Sequence, residues 1–143
     1  MNSLQKMLIR HEGLRLKPYR DTVGKLTIGV GRNLDDVGIS EQEALFMLEV
    51  DIDRCSAQVL KYIKQNCPDL TITFARHAAL VDMCFNMGMP RLRKFKRMLA
   101  AIEKGDWDTA ALEALNSKWA DQVGARAKEI AEMLRTGEYQ LDE

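Results

Sequence analysis

A chain of 143 residues with 46% hydrophobic and 29% charged residues can bury a core without disulfides or metals, and it lacks the composition of a disordered chain. Its 21 Lys and Arg balance 21 Asp and Glu, so nothing global argues for nucleic acid or a membrane surface, and no apolar run approaches a membrane span. Cys55, Cys67 and Cys84 cannot all pair within one chain and show no metal-ligand spacing. With no secretory signal at the N-terminus, the expectation is free thiols, synthesis in the cytoplasm, and neither metal nor cofactor.

In chain order, Leu4, Met7, Leu8 and Glu12 follow helical spacing, and Gly13 can close that helix. Over residues 14–31 the pattern changes to short strands and turns. Leu26, Ile28 and Val30 alternate with Thr27, Gly29 and Gly31, as in a half-buried strand, and Gly24-Lys25 predicts a hairpin to the strand before it. Ser40 and Glu43 make a capping box ahead of a long helix with the apolar stripe Leu45, Leu48, Ile52, Cys55, Val59 and Ile63. Residues 66–71, with Pro68, end it. Thr73 can cap a helix over about 74–87 that is apolar around most of its circumference, which suits the middle of a helical lobe. Shorter helices at about 95–103, 107–116 and 125–136 follow, jointed at Lys104-Gly105-Asp106 and Val123-Gly124.

The fold class is therefore α+β, mostly α, with one domain over 1–143. Its expected parts are a small N-terminal β-hairpin lobe at about 12–60, a long connecting helix, and an all-helical C-terminal lobe at about 61–143 joined by helix 1–11. Charge is uneven along it. Residues 35–53 carry seven acids and no base, and Arg91, Arg93, Lys94, Lys96 and Arg97 surround Leu92 and Phe95. Both runs read first as solvated surface; the basic one could also hold the protein on an anionic cell envelope, an effect that salt would weaken.

Glu12 continues the stripe of Leu4 and Leu8, so partial burial is expected, and it lies in the last helical turn. Burial and the helix dipole both favour its protonated form, the form a general acid needs. Asp21 sits in a polar turn with Thr22, Gly24 and Lys25 and should stay ionised. A hairpin centred on Gly24 sets Asp21 opposite Thr27, on a face whose further positions are Gly29 and Gly31. Two carboxyls in contrasting surroundings beside a hydroxyl suit glycoside hydrolysis. On spacing alone a frayed-end Glu and a turn Asp are the favoured reading. His77, among apolar neighbours, reads as structural, and His11 points away from Glu12. Trp107, Trp119 and the methionines read as packing, and Cys84 as buried and inert.

The surrounding residues add more. Glu12-Gly13-Leu14-Arg15-Leu16-Lys17, Tyr19, Asp21-Thr22, Gly24 and Thr27-Ile28-Gly29-Val30-Gly31 closely resemble the phage-type lysozymes, the endolysins of the T-even class. The likeness continues through Met83, Phe85, Met87-Gly88, Trp107-Asp108, Ser117, Trp119 and Gln122 to Arg126-Ala127-Lys128 and Arg135-Thr136-Gly137. The resemblance implies a two-lobed lysozyme-like fold with an interlobe cleft. It implies inverting hydrolysis of the β-1,4 bond from N-acetylmuramic acid to N-acetylglucosamine, with Glu12, Asp21 and Thr27 as the catalytic set. It further implies substrate contacts at Gly31, Phe85 and Asn86, and an Arg126 that pairs with the catalytic Glu. Its partner would be bacterial peptidoglycan, reached by a monomer through a holin-made lesion in the membrane for host lysis. Two departures stand together: Arg32 replaces a histidine, and the stretch over 33–39 is shortened. Competing readings are a lytic transglycosylase, disfavoured by Asp21 with Thr27, and a non-catalytic wall-binding module, disfavoured by the intact set.

Overall fold

The computed structural model describes residues 1–140. The fold is α+β and mostly α, as expected, and it divides into two compact units, Met1–Met47 and the residues from Leu48 onward.

In the first unit, α1 (Ser3–Glu12) starts on a reciprocal cap. The Asn2 side chain accepts from Gln5 N at 2.8 Å, and Gln5 Oε1 accepts from Asn2 N at 2.9 Å, satisfying two amides that a helix start leaves bare. Gly13 ends the helix by donating its N–H to Ile9 O at 2.7 Å. An antiparallel sheet of order β1-β2-β3 follows, built from β1 (Arg15–Arg20), β2 (Leu26–Gly29) and β3 (Arg32–Asn33). Tyr19 faces Thr27 and Arg20 faces Leu26, while Arg15 faces Gly29, so β1 carries a bulge. Thr27 and Ile28 face Asn33 and Arg32 on the other side. With two residues, β3 is too short to leave a period-two signal.

Burial in β2 is reversed from expectation. Thr27 is only 3% exposed, whereas Leu26 and Ile28 are half-buried and Val30 has left the strand for the next turn. β2 is the central strand, so a side chain on it has neighbours on both flanks. The Thr27 hydroxyl donates to Lys25 O at 2.9 Å, which removes most of the cost of burying it.

Part of the acidic run holds this unit together. Asp35 Oδ2 accepts from Leu26 N at 2.8 Å, and Asp36 takes the Lys25 ammonium at 3.1 Å and Asn33 Nδ2 at 2.9 Å. The capping box forms as expected: Ser40 Oγ accepts from Glu43 N at 3.1 Å, and Glu43 Oε1 accepts from Ser40 N at 2.9 Å. It opens α2 (Glu41–Asn66), which runs on into the second unit. Only Cys55, Val59 and Ile63 of its stripe are buried; Leu45, Leu48 and Ile52 remain exposed.

The second unit is helical. α3 (Phe74–Met87) is capped by Thr73, and α4 (Met89–Leu92), α5 (Lys96–Glu103), α6 (Trp107–Leu115), α7 (Lys118–Val123) and α8 (Ala125–Thr136) follow. α8 packs against α3, α6 and α7, and α5 against α6. Ala79 and Met83 of α3 are wholly buried, as its all-round apolar pattern requires, although Phe74 in its first turn is exposed. Arg76 joins the start of α3 to the end of α8 by donating to Leu134 O at 2.8 Å and Arg135 O at 3.0 Å, its guanidinium lying over Trp107. α4 and α7 were not expected, because four and six residues are too few for a helical repeat to show.

Candidate active site

Glu12 is the last residue of α1, at the end where the helix dipole is negative. It is exposed, and no residue of α1 is buried. The expected burial is corrected on this point. Leu4 and Leu8 are themselves 58% and 43% exposed, since an apolar stripe becomes buried only where another surface covers it. Within its unit Glu12 lies close to Gly31. A Cβ built on Gly31 would stand 2.8 Å from Glu12 Oε2 and 3.2 Å from its carboxyl carbon. Gly31 also has a φ of +69° in the turn from β2 to β3, which calls for glycine, and a Cβ there would push the Glu12 carboxylate aside. A groove of about 310 Å³ with Leu8, Ile9 and Val30 among its walls opens beside the carboxylate.

The β1–β2 hairpin closes at Asp21 and Lys25 rather than around Gly24. Asp21 N donates to Lys25 O at 2.9 Å, and Asp21 Oδ1 accepts from Lys25 N at 2.8 Å and Val23 N at 3.0 Å. The expected pairing of Asp21 with Thr27 is therefore shifted by two residues, because the side chain of Asp21 builds the turn itself. Asp21 lies just past the end of β1, two residues beyond Tyr19, which is opposite Thr27. The Asp21 carboxylate is thus engaged by the turn amides, two residues past the partner of Thr27. Among the described residues Asp21 Oδ2 receives no hydrogen bond, and the Thr27 hydroxyl, its proton given to Lys25 O, keeps lone pairs to accept.

Arg32 forms a bidentate pair with Glu43, Nη1 to Oε1 at 3.0 Å and Nη2 to Oε2 at 2.8 Å, and Nη1 also donates to Gly38 O at 3.1 Å. The guanidinium, followed by the Ser40 amide and hydroxyl, holds the Glu43 carboxyl down at about 2. One side chain therefore ties the turn beside Gly31, the shortened 33–39 segment and the start of α2. The sequence showed Arg32 only as a departure; its partner was occupied, in the reading of the sequence, by capping. Asp35, which extends the β2 pairing, had no signal at all.

The remaining candidates lie in the second unit. Phe85 is 45% exposed. Asn86 Oδ1 accepts from Trp119 Nε1 at 2.9 Å, and Trp119 is buried with its ring edge-on to Phe95, so Trp119 is a packing residue. Arg126 Nε donates to Asp82 Oδ1 at 2.8 Å. His77 is half-buried with Nε2 3.4 Å from Ser56 Oγ, and burial lowers its pKa. All three cysteines are free and buried; burial and the neighbouring Cys55 thiol push the Cys84 thiol up to about 11.

The profile of the family described as phage lysozyme matches residues 9–135. The chain is 30% identical to a probable T4-type lysozyme of Dictyostelium discoideum, over 96% of both chains. It is 31% identical to an endolysin of Acyrthosiphon pisum secondary endosymbiont phage 1, over 80% of this chain and 75% of that one. It is also 30% identical to the pre-baseplate central spike protein Gp5 of Enterobacteria phage T4, where 94% of this chain spans 28% of a much longer protein.

Proposed function

Because this chain belongs to the phage lysozyme family, we propose that its lysozyme-type hydrolysis of peptidoglycan is that of an inverting muramidase with Glu12 as acid. One observation carries the reading: the turn from β2 to β3 brings Gly31 against Glu12, in the same unit as the hairpin that carries Asp21 in its turn and Thr27 on β2. The bond cut is the β-1,4 link between N-acetylmuramic acid and N-acetylglucosamine.

Glu12 gives its proton to the glycosidic oxygen as the bond to C1 breaks. A sugar strand laid over the exposed carboxyl displaces water from it and brings the glycosidic oxygen within reach of the proton. Asp21 Oδ2, free of hydrogen bonds, takes a proton from the water whose oxygen joins C1. Thr27 Oγ accepts the other water proton in a hydrogen bond and fixes the angle of attack. One proton leaves Glu12 and one arrives at Asp21, and exchange with solvent restores both. Phe85 offers an exposed ring to the glycan, with Asn86 beside it.

Family membership leaves the place of action to be argued. No helix among the described residues is long and apolar enough to cross a membrane. We take the enzyme to act on the wall as a monomer in host lysis, after passing a holin lesion. Mass spectrometry of the fragments released from purified sacculi tests the chemistry. Hydrolysis predicts reducing muramic ends that carry the elements of water, whereas ends lighter by one water identify a transglycosylase and overturn the reading.

A further inference from the structure

A groove of about 600 Å³ lies wholly within the second unit. Five cations line it: Arg91 from α4, Lys94 from the following loop, Lys96 and Arg97 from the first turn of α5, and Lys118 from the first turn of α7. Glu113 is the one acid among its walls, and Met87, Phe95, Met98 and Trp119 supply the apolar part. Three helices and a loop thus bring basic side chains to one concave place, which a run of adjacent residues does not achieve alone.

Folding does not account for these charges. Among the described residues none of the five forms an ion pair or a side-chain hydrogen bond, although six ion pairs occur elsewhere. Arg93, within the same run, is employed differently, over the Tyr62 ring at 5.3 Å. Lys96 and Arg97 stand where the helix dipole disfavours cations, and the first turn of α5 has no acid to balance them. In a chain of zero net charge, these like charges gathered in one concave place create a local positive potential that attracts anions.

We propose that this groove binds a chain of phosphodiester-linked polyol units, the chemistry of anionic glycopolymers in the bacterial envelope. Five cations against one acid call for a partner with several negative charges, and a phosphodiester chain carries one per repeat. The concave shape, within the range of about 300–1,000 Å³ typical of ligand sites, admits a thin flexible chain and not a bilayer plane or a duplex. Single-stranded nucleic acid needs open aromatic faces to stack its bases. Here Trp119 is 4% exposed with its indole N–H held by Asn86, and Phe95 is half-buried against it. The site is separate from the chemistry of Glu12 and does not depend on it.

Fluorescence anisotropy with a labelled poly(glycerol phosphate) chain tests this on the intact protein. The polymer binds wild type with an affinity that falls steadily as salt rises, and the double variant Arg91→Gln/Arg97→Gln loses about tenfold or more with a shallower salt slope. A second double variant, Lys61→Gln/Lys64→Gln, removes the same charge from exposed positions on α2 and stays within about twofold of wild type. Circular dichroism and melting curves verify that both variants are folded. Three results overturn the proposal: an equal loss in the α2 variant, equal binding of a single-stranded oligonucleotide of the same charge, or displacement of the polymer by free wall peptide at comparable concentration.

Discussion

Gly31→Ala separates two effects that meet at one residue. Holding alanine at a φ of +69° costs roughly 1–2 kcal/mol, which for a domain of this size lowers the melting temperature by a few degrees. The new methyl would also stand 2.8 Å from Glu12 Oε2, so the carboxylate must retreat by about 0.6 Å to reach ordinary contact distance. A displacement approaching 1 Å at a reacting group costs up to about a hundredfold in rate, so kcat for sacculus clearing should fall about ten- to a hundredfold. Gly105→Ala is the control. It has a φ of +71° with nothing within 4 Å of its Cβ, so it bears the conformational strain without touching the site. Turbidity loss of purified sacculi, read beside melting curves of both variants, gives the comparison. Wild-type kcat in Gly31→Ala, or an equal loss in Gly105→Ala, would refute the claim that Gly31 sets the position of Glu12.

Three further outcomes follow from the same geometry. Asp21→Asn keeps an oxygen to accept from Val23 N and Lys25 N, so its melting curve should stay close to wild type while turnover drops about a hundredfold or more; full activity in this variant contradicts the base role. Glu43 is held at about 2 when folded, below an unfolded carboxyl. The stability contributed by its pair with Arg32 is therefore present above the usual carboxylate range and disappears as pH falls toward 2. Melting of Glu43→Gln should lie below wild type at pH 7 by a small, salt-sensitive margin, both side chains being more than a third exposed, and converge with it near pH 2. The cysteines are buried and Cys84 stands at about 11, so an aromatic disulfide reagent at pH 8 should react slowly with the native protein and fully once it is unfolded; a rapid native thiol contradicts this.

What the sequence revealed depended on how far each signal extends. Long periodic segments were legible, and α2 with its Ser40–Glu43 box and α3 with its Thr73 cap appear where they were expected. Elements of two to six residues, β3, α4 and α7, are shorter than the stretch over which a repeating pattern can be read. Register was missed by two residues because the hairpin was centred on Gly24, whereas the side chain of Asp21 closes the turn against Lys25. Burial failed in both directions. Thr27 is buried although polar, since its hydroxyl finds Lys25 O, and Glu12 is exposed although it extends an apolar stripe. The contact between Glu12 and Gly31 was hidden for a further reason. Nineteen positions separate them, and only the folded turn from β2 to β3 brings them together.

Glu12→Gln tests the central claim most directly. The amide matches the carboxyl in size, so the contact with Gly31 survives and only the transferable proton is lost. Reducing ends released from purified peptidoglycan should appear with the wild-type protein and stay at background with a folded Glu12→Gln variant. Release by that variant at a rate near wild type would contradict the assignment of Glu12 as the acid.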